Sequence, residues 1–321
     1  MQTRGNREGL GAVANGRSGA AVPRDVLEIA TRSAVRAGAE LMSRYEQPPQ
    51  GVGAKQGPTD LVSDADRAAE AAIAAVLAEC RPDDAVLGEE GTANREGTSG
   101  LRWVVDPLDG TVNYLSGIPL WCVSIACEDA AGTLAGVVYD PLRGELFSAV
   151  RGGAVRADGS SAREREQHHL AAAVIAGGVA CASDAEVKRA GKLEKRLFRR
   201  VGQRRALGAA ALELAWTAAG RIDVCYQEQR IHPWDVDAGL FICQQAGLRV
   251  HRLQPLAEGL APRYLAAPAG LAAEVLALVG PSAKDRRRSA QRPPLSTESV
   301  AETMRRRRHA VGDAESGGPR L

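Results

Sequence analysis

The sequence has little of what marks a secreted, membrane-spanning or disulfide-built protein. Its first twenty residues are polar and Gly-rich, without the apolar stretch of a signal peptide, and no run of about eighteen apolar residues occurs anywhere. These absences point to a soluble, cytoplasmic chain. Cysteine is sparse and scattered: Cys80, Cys122, Cys127, Cys181, Cys225 and Cys243 form no Cys-x-x-Cys pair and have no histidine at zinc spacing. That excludes a zinc ribbon or disulfide frame and leaves reduced thiols filling core positions. The net charge of +2 is too close to neutral for a general affinity for nucleic acid or membranes. P-loop, Gly-x-Ser-x-Gly and Cys-x₅-Arg motifs are all missing, so nothing suggests a covalent enzyme intermediate.

What is present is a patterned middle between two unpatterned ends. At 321 residues the chain has room for one large or two medium domains. Residues 1–23 have few large apolar groups and no periodicity and are expected to be disordered, as is the basic tail 281–321 with its clusters at 284–288 and 305–308. The folded part is 24–280, in two lobes of about 24–165 and 166–280. Val26, Ala30, Ala34, Ala37 and Leu41 recur at helical spacing, and Ala69, Ile73, Val76 and Leu77 mark a second helix. Asp64 and Asp66 stand at its start, where acids cap N–H groups; capping is the preferred reading of Asp64. Apolar runs at 85–87 and 103–105 read as strands, and 121–150 as an antiparallel meander with a short strand after Gly152 and Gly153. A second α/β unit begins near Leu170. It has strands near 174, 222–226, 248–251 and 264–267, and helices at 184–199, 208–219, 235–246 and 271–279.

The chemistry gathers at strand ends. The run 103–105 leads to Asp106, expected at the exposed end of a strand that Pro107 stops for want of an N–H. Asp109 follows three residues on, Gly110 permits a tight turn, and Thr111 opens a helical turn with bare N–H groups. The 85–87 run ends in Glu89 and Glu90, and Asp235 starts a helix. Carboxylates converging from such positions repel unless a cation neutralises them. A hard Mg²⁺ suits an all-oxygen set, and two ions about 3.5–4 Å apart can hold an attacking water and phosphate oxygens together. Glu90 reads as a support, Trp234 as packing beside Asp235, and His168, His169, His232 and His251 as structural or surface groups.

Asp106-Pro-Leu-Asp-Gly-Thr-Val-Asn-Tyr114 and Trp234-Asp-Val-Asp-Ala-Gly239 resemble the two signatures of the inositol monophosphatase family. Lys55, Asp60-Leu-Val-Ser-Asp-Ala-Asp66 and Gly88-Glu-Glu90 precede them in the order that family shows. The resemblance spans about 24–280 and implies the layered α/β/α/β/α sandwich of the fructose-bisphosphatase and inositol monophosphatase type. It implies that Glu89, Asp106 and the Leu108 carbonyl hold one Mg²⁺, that Asp106, Asp109 and Asp235 hold a second, and that Glu89 reaches toward a weaker third. Thr111 and Asp66 would orient and help deprotonate the water. The N–H groups of Gly110 and Thr111 would receive phosphate, Glu228 would read substrate hydroxyls together with Asp235, and Lys55 would lie on a loop over the site. Hydrolysis of a small polyol phosphate follows, with inositol monophosphate favoured over histidinol phosphate, fructose bisphosphate or phosphoadenosine phosphate. A lithium-sensitive homodimer is also implied. A binding module that uses the basic tail on nucleic acid is the alternative from a different class.

Three positions depart from the family pattern. Asp237 stands where relatives carry a small residue, and could face solvent or alter the metal site. Ala209 replaces a serine that often reaches substrate, which opens the identity of the alcohol half. Gln245-Ala-Gly-Leu248 replaces Glu-Ala-Gly-Gly and concerns packing.

Overall fold

The protein's structure is a computed structural model that describes residues 21–54, 61–157, 169–178, 184–228, 231–253 and 262–280. All but the last two belong to one compact unit, Met1–Leu278. The expectations for residues 1–20, Lys55, His168, Cys181 and the tail 281–321 lie outside the described residues.

Two helices open the chain, α1 (Ala21–Tyr45) and α2 (Asp64–Cys80), joined by a ribbon of β1 (Gly53–Ala54) and β2 (Leu61–Val62). Helix α1 begins three residues inside the stretch expected to be disordered, because Pro23 is tolerated in a first helical turn, where N–H groups have no intrahelical acceptor. The apolar stripes of both helices bury against Trp103, Val105, Ile125 and Val137 in one cluster. Ser63, not Asp64, caps α2: its Oγ accepts from Ala65 N at 3.2 Å while Asp66 takes the Ser63 N–H at 2.9 Å. Asp64 is exposed and pairs with Arg67 at 2.7 Å instead of capping the helix.

β3 (Ala85–Gly88), β4 (Arg102–Asp109), β5 (Cys122–Asp129), β6 (Gly132–Asp140), β7 (Glu145–Val150) and β8 (Arg156–Ala157) form, in that order, a six-stranded sheet. Only β3 and β4 run parallel; the short helix α3 (Thr111–Leu115) follows β4. The chain continues with β9 (Val174–Ala176), α4 (Asp184–Phe198), β10 (Gln203–Arg205), α5 (Ala210–Ala218), β11 (Val224–Gln227), α6 (Pro233–Gln245), β12 (Arg249–Leu253), β13 (Arg263–Ala267) and α7 (Ala269–Val279), which hold a second sheet. Its five strands lie in the order β10-β9-β11-β13-β12. Cys122, Cys127, Cys225 and Cys243 are buried free thiols, as the scattered spacing implied, whereas Cys80, at the end of α2, is free but only half-buried.

Helices α5 and α6 lie between the sheets. Ala211, Leu212, Ala215, Ala238, Phe241 and Ile242 pack on Val104, Ala126 and Val138 of the large sheet. Ala210, Leu214, Val236, Leu240 and Cys243 pack on Cys225, Tyr264 and Ala266 of the small one. A helix buried on two sides must be apolar all round, which is why these two show no clean stripe. On the outside, α4 buries Leu193 and Leu197, and α7 buries Leu271 and Val275. The layers are therefore α/β/α/β/α.

The seat of α6 on the large sheet is tight at Gly136, where an added Cβ would come within 3.0 Å of the Ala238 carbonyl oxygen and 3.2 Å of its Cα. Gly136→Val is expected to lower stability by about 1–3 kcal/mol, the usual cost of overpacking. A lower urea midpoint with unchanged slope is the expected reading; an unchanged midpoint would mean that α6 does not bear on β6.

Candidate active site

Along β4, side chains alternate between two buried faces. Trp103 and Val105 point to α1 and α2, and Val104 to α5 and α6. Asp106 follows on the α5/α6 side and is 1% exposed. In an unbroken strand Asp109, an odd number of residues later, would face the opposite way. The pairing instead runs Asp106↔Ser124 and then Asp109↔Cys122, three steps on β4 against two on β5. That extra residue is a β-bulge. Leu108 turns into the α1/α2 core, and Asp109 returns to the side of Asp106. Its Oδ1 and Oδ2 accept from Ala210 N at 3.1 Å and Ala211 N at 2.7 Å, at the start of α5.

Two expectations are corrected here. Pro107 does not end the strand, because its missing N–H falls inside the bulge, where the ladder is broken anyway. Asp106 is not at an exposed strand end, since β4 runs on to Asp109 and the side chain is buried. Its Oδ1 accepts from Leu108 N at 2.9 Å across the bulge.

The other expected acids approach from separate elements. Glu89 directly follows β3, with its N–H on the Val105 carbonyl at 3.1 Å. Asp235 lies in the first turn of α6, where Oδ2 accepts from His232 N at 2.7 Å. The α6 start is docked on β5 by Ser124 Oγ, 3.0 Å from the Trp234 carbonyl oxygen, beside the register partner of Asp106. Trp234 stacks on the His232 ring at 4.7 Å between centroids, consistent with a packing role. Asp66 is fully buried; Ser63 Oγ donates to its Oδ2 at 2.6 Å, and its Oδ1 lies 3.1 Å from Thr111 Oγ1. That hydroxyl is also 3.1 Å from the Leu108 carbonyl oxygen. Gly110, at φ 94°, caps α3 in the left-handed region.

The electrostatics follow from this crowding. Burial pushes the Asp106 carboxyl well above the usual carboxylate range, and the charges of Glu89, Asp109 and Asp235 push it further. Burial raises Asp109 from 3.8 to about 7, with the N–H groups of Ala211 and Ala210 working against the rise. Among the described residues, no cation pairs with Asp106 or Asp109. The donor set is oxygen only, carboxylate-rich and neighbouring, which fits a hard divalent cation. As the side chains stand, no three His, Cys, Asp or Glu among the described residues are grouped closely enough to hold one ion. Asp109 and Asp235 are turned to helix-start N–H groups instead. A cavity of about 470 Å³ behind the start of α2, lined by Tyr45, Pro48, Ser63 and Tyr114, contains none of the four acids.

Glu228 is buried at the end of β11; Tyr226 Oη donates to it at 2.5 Å, and Arg263 Nη1 donates to that phenol at 3.2 Å. Asp237 neither faces solvent nor joins the acids around Asp106. It lies against Glu128, with Arg252 at 3.6 Å, and burial and Glu128 raise it to about 6. Ala209 is the N-cap residue of α5 without a capping side chain, so Asp109 serves that helix. Gln245 accepts from Gly152 N at 3.2 Å, a surface tie.

Sequence reasoning missed four anchors. Glu213 accepts from Leu207 N at 2.7 Å and from Gln227 Nε2, fixing the approach to α5. Asn113 Nδ2 donates to the Leu120 and Leu207 carbonyls at 2.7 and 2.8 Å, and Tyr114 Oη to the Leu41 carbonyl at 2.7 Å. Glu70, fully buried in α2, binds the segment after Glu89. The available signal was the polar residue inside an apolar helix stripe or strand-end motif.

The chain matches the inositol monophosphatase family over residues 23–291. It is 37% identical over 222 residues to the "Inositol-1-monophosphatase" of Mesorhizobium japonicum, covering 69% of this chain and 83% of that protein. It is 36% identical over 222 residues, with the same coverage, to the "Nus factor SuhB" of Pasteurella multocida. The crystal structure of the extragenic suppressor protein suhB from Bartonella henselae superposes with a TM-score of 0.72 at 32% identity, over 80% of this chain and 98% of that one.

The raised acids give a signed pH dependence. A carboxyl whose folded-state pKa exceeds its unfolded value favours the folded protein fully below the unfolded value, here 3.8, and that advantage is lost as the pH rises through about 7. Protons and cations compete for the same oxygens. Mn²⁺ affinity is therefore expected to rise steadily from pH 5 to pH 8, with proton release on binding that calorimetry in buffers of different ionisation enthalpy would detect. A flat affinity across this window would remove Asp106 and Asp109 from the cation site.

Proposed function

Since the chain belongs to the inositol monophosphatase family, whose activity is phosphate-ester hydrolysis, we propose that it hydrolyses a small polyol phosphate, inositol monophosphate foremost, by direct attack of water. The observation that carries this reading is the bulge in β4, which turns Asp109 to the side of Asp106, itself within the fields of Glu89 and Asp235. The family is generally Mg²⁺-dependent. Glu89, Asp106 and the Leu108 carbonyl would hold one ion, and Asp106, Asp109 and Asp235 a second, with Glu89 reaching toward a third. Mg²⁺, when bound, acidifies a water and neutralises phosphate oxygens.

The chain's own residues then divide the work. Ser63 occupies Asp66 Oδ2, leaving Oδ1 to the Thr111 hydroxyl. Thr111 has one proton; passing it to Asp66 leaves an oxygen lone pair to draw a proton from the attacking water. The N–H groups of Gly110 and Thr111 face the phosphate, where negative charge builds as the ester bond breaks. Glu228, held by Tyr226, reads substrate hydroxyls with Asp235; the role implied for Lys55 by the family resemblance falls outside the described residues. Ala209 offers no hydroxyl to the alcohol half, which favours a substrate bound mainly through Glu228. Lithium inhibition, a homodimer and a cytoplasmic setting belong to the same proposal. No helix among the described residues is long and apolar enough to cross a membrane.

Relatives that carry the name Nus factor favour a second reading, in which the chain acts as a binding module through the basic run 284–308. Salt-dependent binding to duplex DNA that disappears on truncation after Gly280 would support it.

Phosphate release with Mg²⁺ is to be measured on inositol monophosphate, histidinol phosphate, fructose bisphosphate and phosphoadenosine phosphate. Inositol monophosphate is expected to be fastest. Asp235→Asn should cut kcat by on the order of 10²-fold or more, the scale of one lost electrostatic contact to the transition state, with the melting curve retained. Wild-type rates from that variant would take Asp235 out of the site, and no turnover of any ester would end the hydrolase reading.

A further inference from the structure

Glu70 is an odd residue for its place. It lies on the buried face of α2, with no exposed surface, between Ala69 and Ile73 of the apolar stripe. A buried carboxylate without a cation costs several kcal/mol unless its oxygens are filled. Among the described residues, no lysine or arginine pairs with Glu70. Four donors take that place, all from the segment just past Glu89. Oε1 accepts from Glu90 N at 3.1 Å; Oε2 accepts from Thr92 N at 2.9 Å, Ala93 N at 3.3 Å and the Thr92 hydroxyl.

The contact is close enough to constrain the strand as well. A Cβ on Gly88, the last residue of β3, would collide with Glu70 Oε1. The chain on both sides of Glu89 is thus tied. Before it, Gly88 N donates to Asn94 Oδ1 at 2.7 Å, and Glu89 N to the Val105 carbonyl at 3.1 Å. After it, donors of Glu90, Thr92 and Ala93 converge on one carboxylate. Glu89 itself lies beside Asp106 and adds to the rise of its pKa, so its placement bears directly on the acids of β4.

We propose that Glu70 is a positioning residue: by gathering the N–H groups of residues 90, 92 and 93 it aims Glu89 at Asp106 and sets the affinity of the cation that those two acids share. The proposal rests on the hydrolase reading above, because it assigns Glu89 to that cation. A carboxylate is required rather than an amide. Glutamine can turn only one oxygen to the three donors at Oε2, and its NH₂ then faces the N–H of Glu90, adjacent to the ligand.

The test uses the full chain, with Mn²⁺ binding followed by loss of its free paramagnetic signal and amide exchange read at residues 90, 92 and 93. In Glu70→Gln, exchange at these amides should quicken and the Mn²⁺ dissociation constant rise by about tenfold or more, the range seen when a supporting partner of a metal ligand is lost. The Mg²⁺ concentration for half-maximal rate should rise by a similar factor, while kcat at saturating Mg²⁺ stays within about threefold. Thr92→Val, at an exposed position, should shift both in the same direction by less. Faster exchange with unchanged Mn²⁺ affinity in both variants would overturn the proposal and leave Glu70 as a fold residue. If Glu70→Gln does not fold, Thr92→Val decides alone. Wild-type protein that binds no Mn²⁺ would remove the hydrolase reading itself, and this proposal with it.

Discussion

Placing two carboxylates on the same buried side of one strand is the constraint from which the remaining arrangement follows. Strand alternation forbids it at a spacing of three, and the bulge between Asp106 and Asp109 permits it. The cost is electrostatic: both groups are raised above their ordinary range by burial, and Asp106 further by three acidic neighbours. Several features of the fold can be read as answers to that cost. The parallel pairing of β3 with β4 brings Glu89 alongside. The sandwiching of α5 and α6 between two sheets fixes helix starts against the β4 face.

Much of this fold was legible in the pattern of apolar residues. The α1 and α2 stripes, the meander and the second α/β unit follow from periodicity, because each element buries one face or both in a way that repeats at its own period. The failures have physical causes. Gln203–Arg205 contains no apolar residue, and it pairs as an edge strand through its backbone alone. Pro107 reads as a stop because its effect depends on whether its N–H position needs a partner, and a bulge removes that need. Asp64 and Ser63 are adjacent candidates for one cap, and only the backbone turn at Ser63 decides between them.

The site was legible as residue types and less so as partners. Glu89, Asp106, Asp109 and Asp235 stand out because acids at strand ends and helix starts interrupt apolar runs. Their supports do not stand out. Glu70 sits inside a helical stripe as any miscellaneous polar residue would, and Glu213 hides in an Ala-rich helix; their meaning lies in N–H groups twenty or more positions away for Glu70, and across a loop for Glu213. Hydrogen bonds from backbone to a distant carboxylate leave no periodic trace. Asp237 shows the converse, a conspicuous acid beside Asp235 whose side chain is taken up by Glu128 and Arg252 on the far side of α6.

Three of the acids share a further property that explains how such a site can coexist with a stable fold. Asp66 belongs to the capping box of α2, Asp235 accepts the N–H that precedes its own helix, and Asp109 fills the cap position that Ala209 cannot serve at α5. Each oxygen group therefore lies at the positive end of a helix dipole and has an N–H partner that does not depend on a cation. Helix starts supply partial positive charge from three directions, which offsets part of the repulsion while the chain folds. The same N–H groups are weaker partners than a divalent ion, so they can be given up by side-chain rotation without moving a backbone already pinned by Ser124, Asn113 and Glu70. A site assembled in this way keeps its frame rigid and its ligands able to turn, which suits an enzyme whose metals and substrate arrive after the fold is complete.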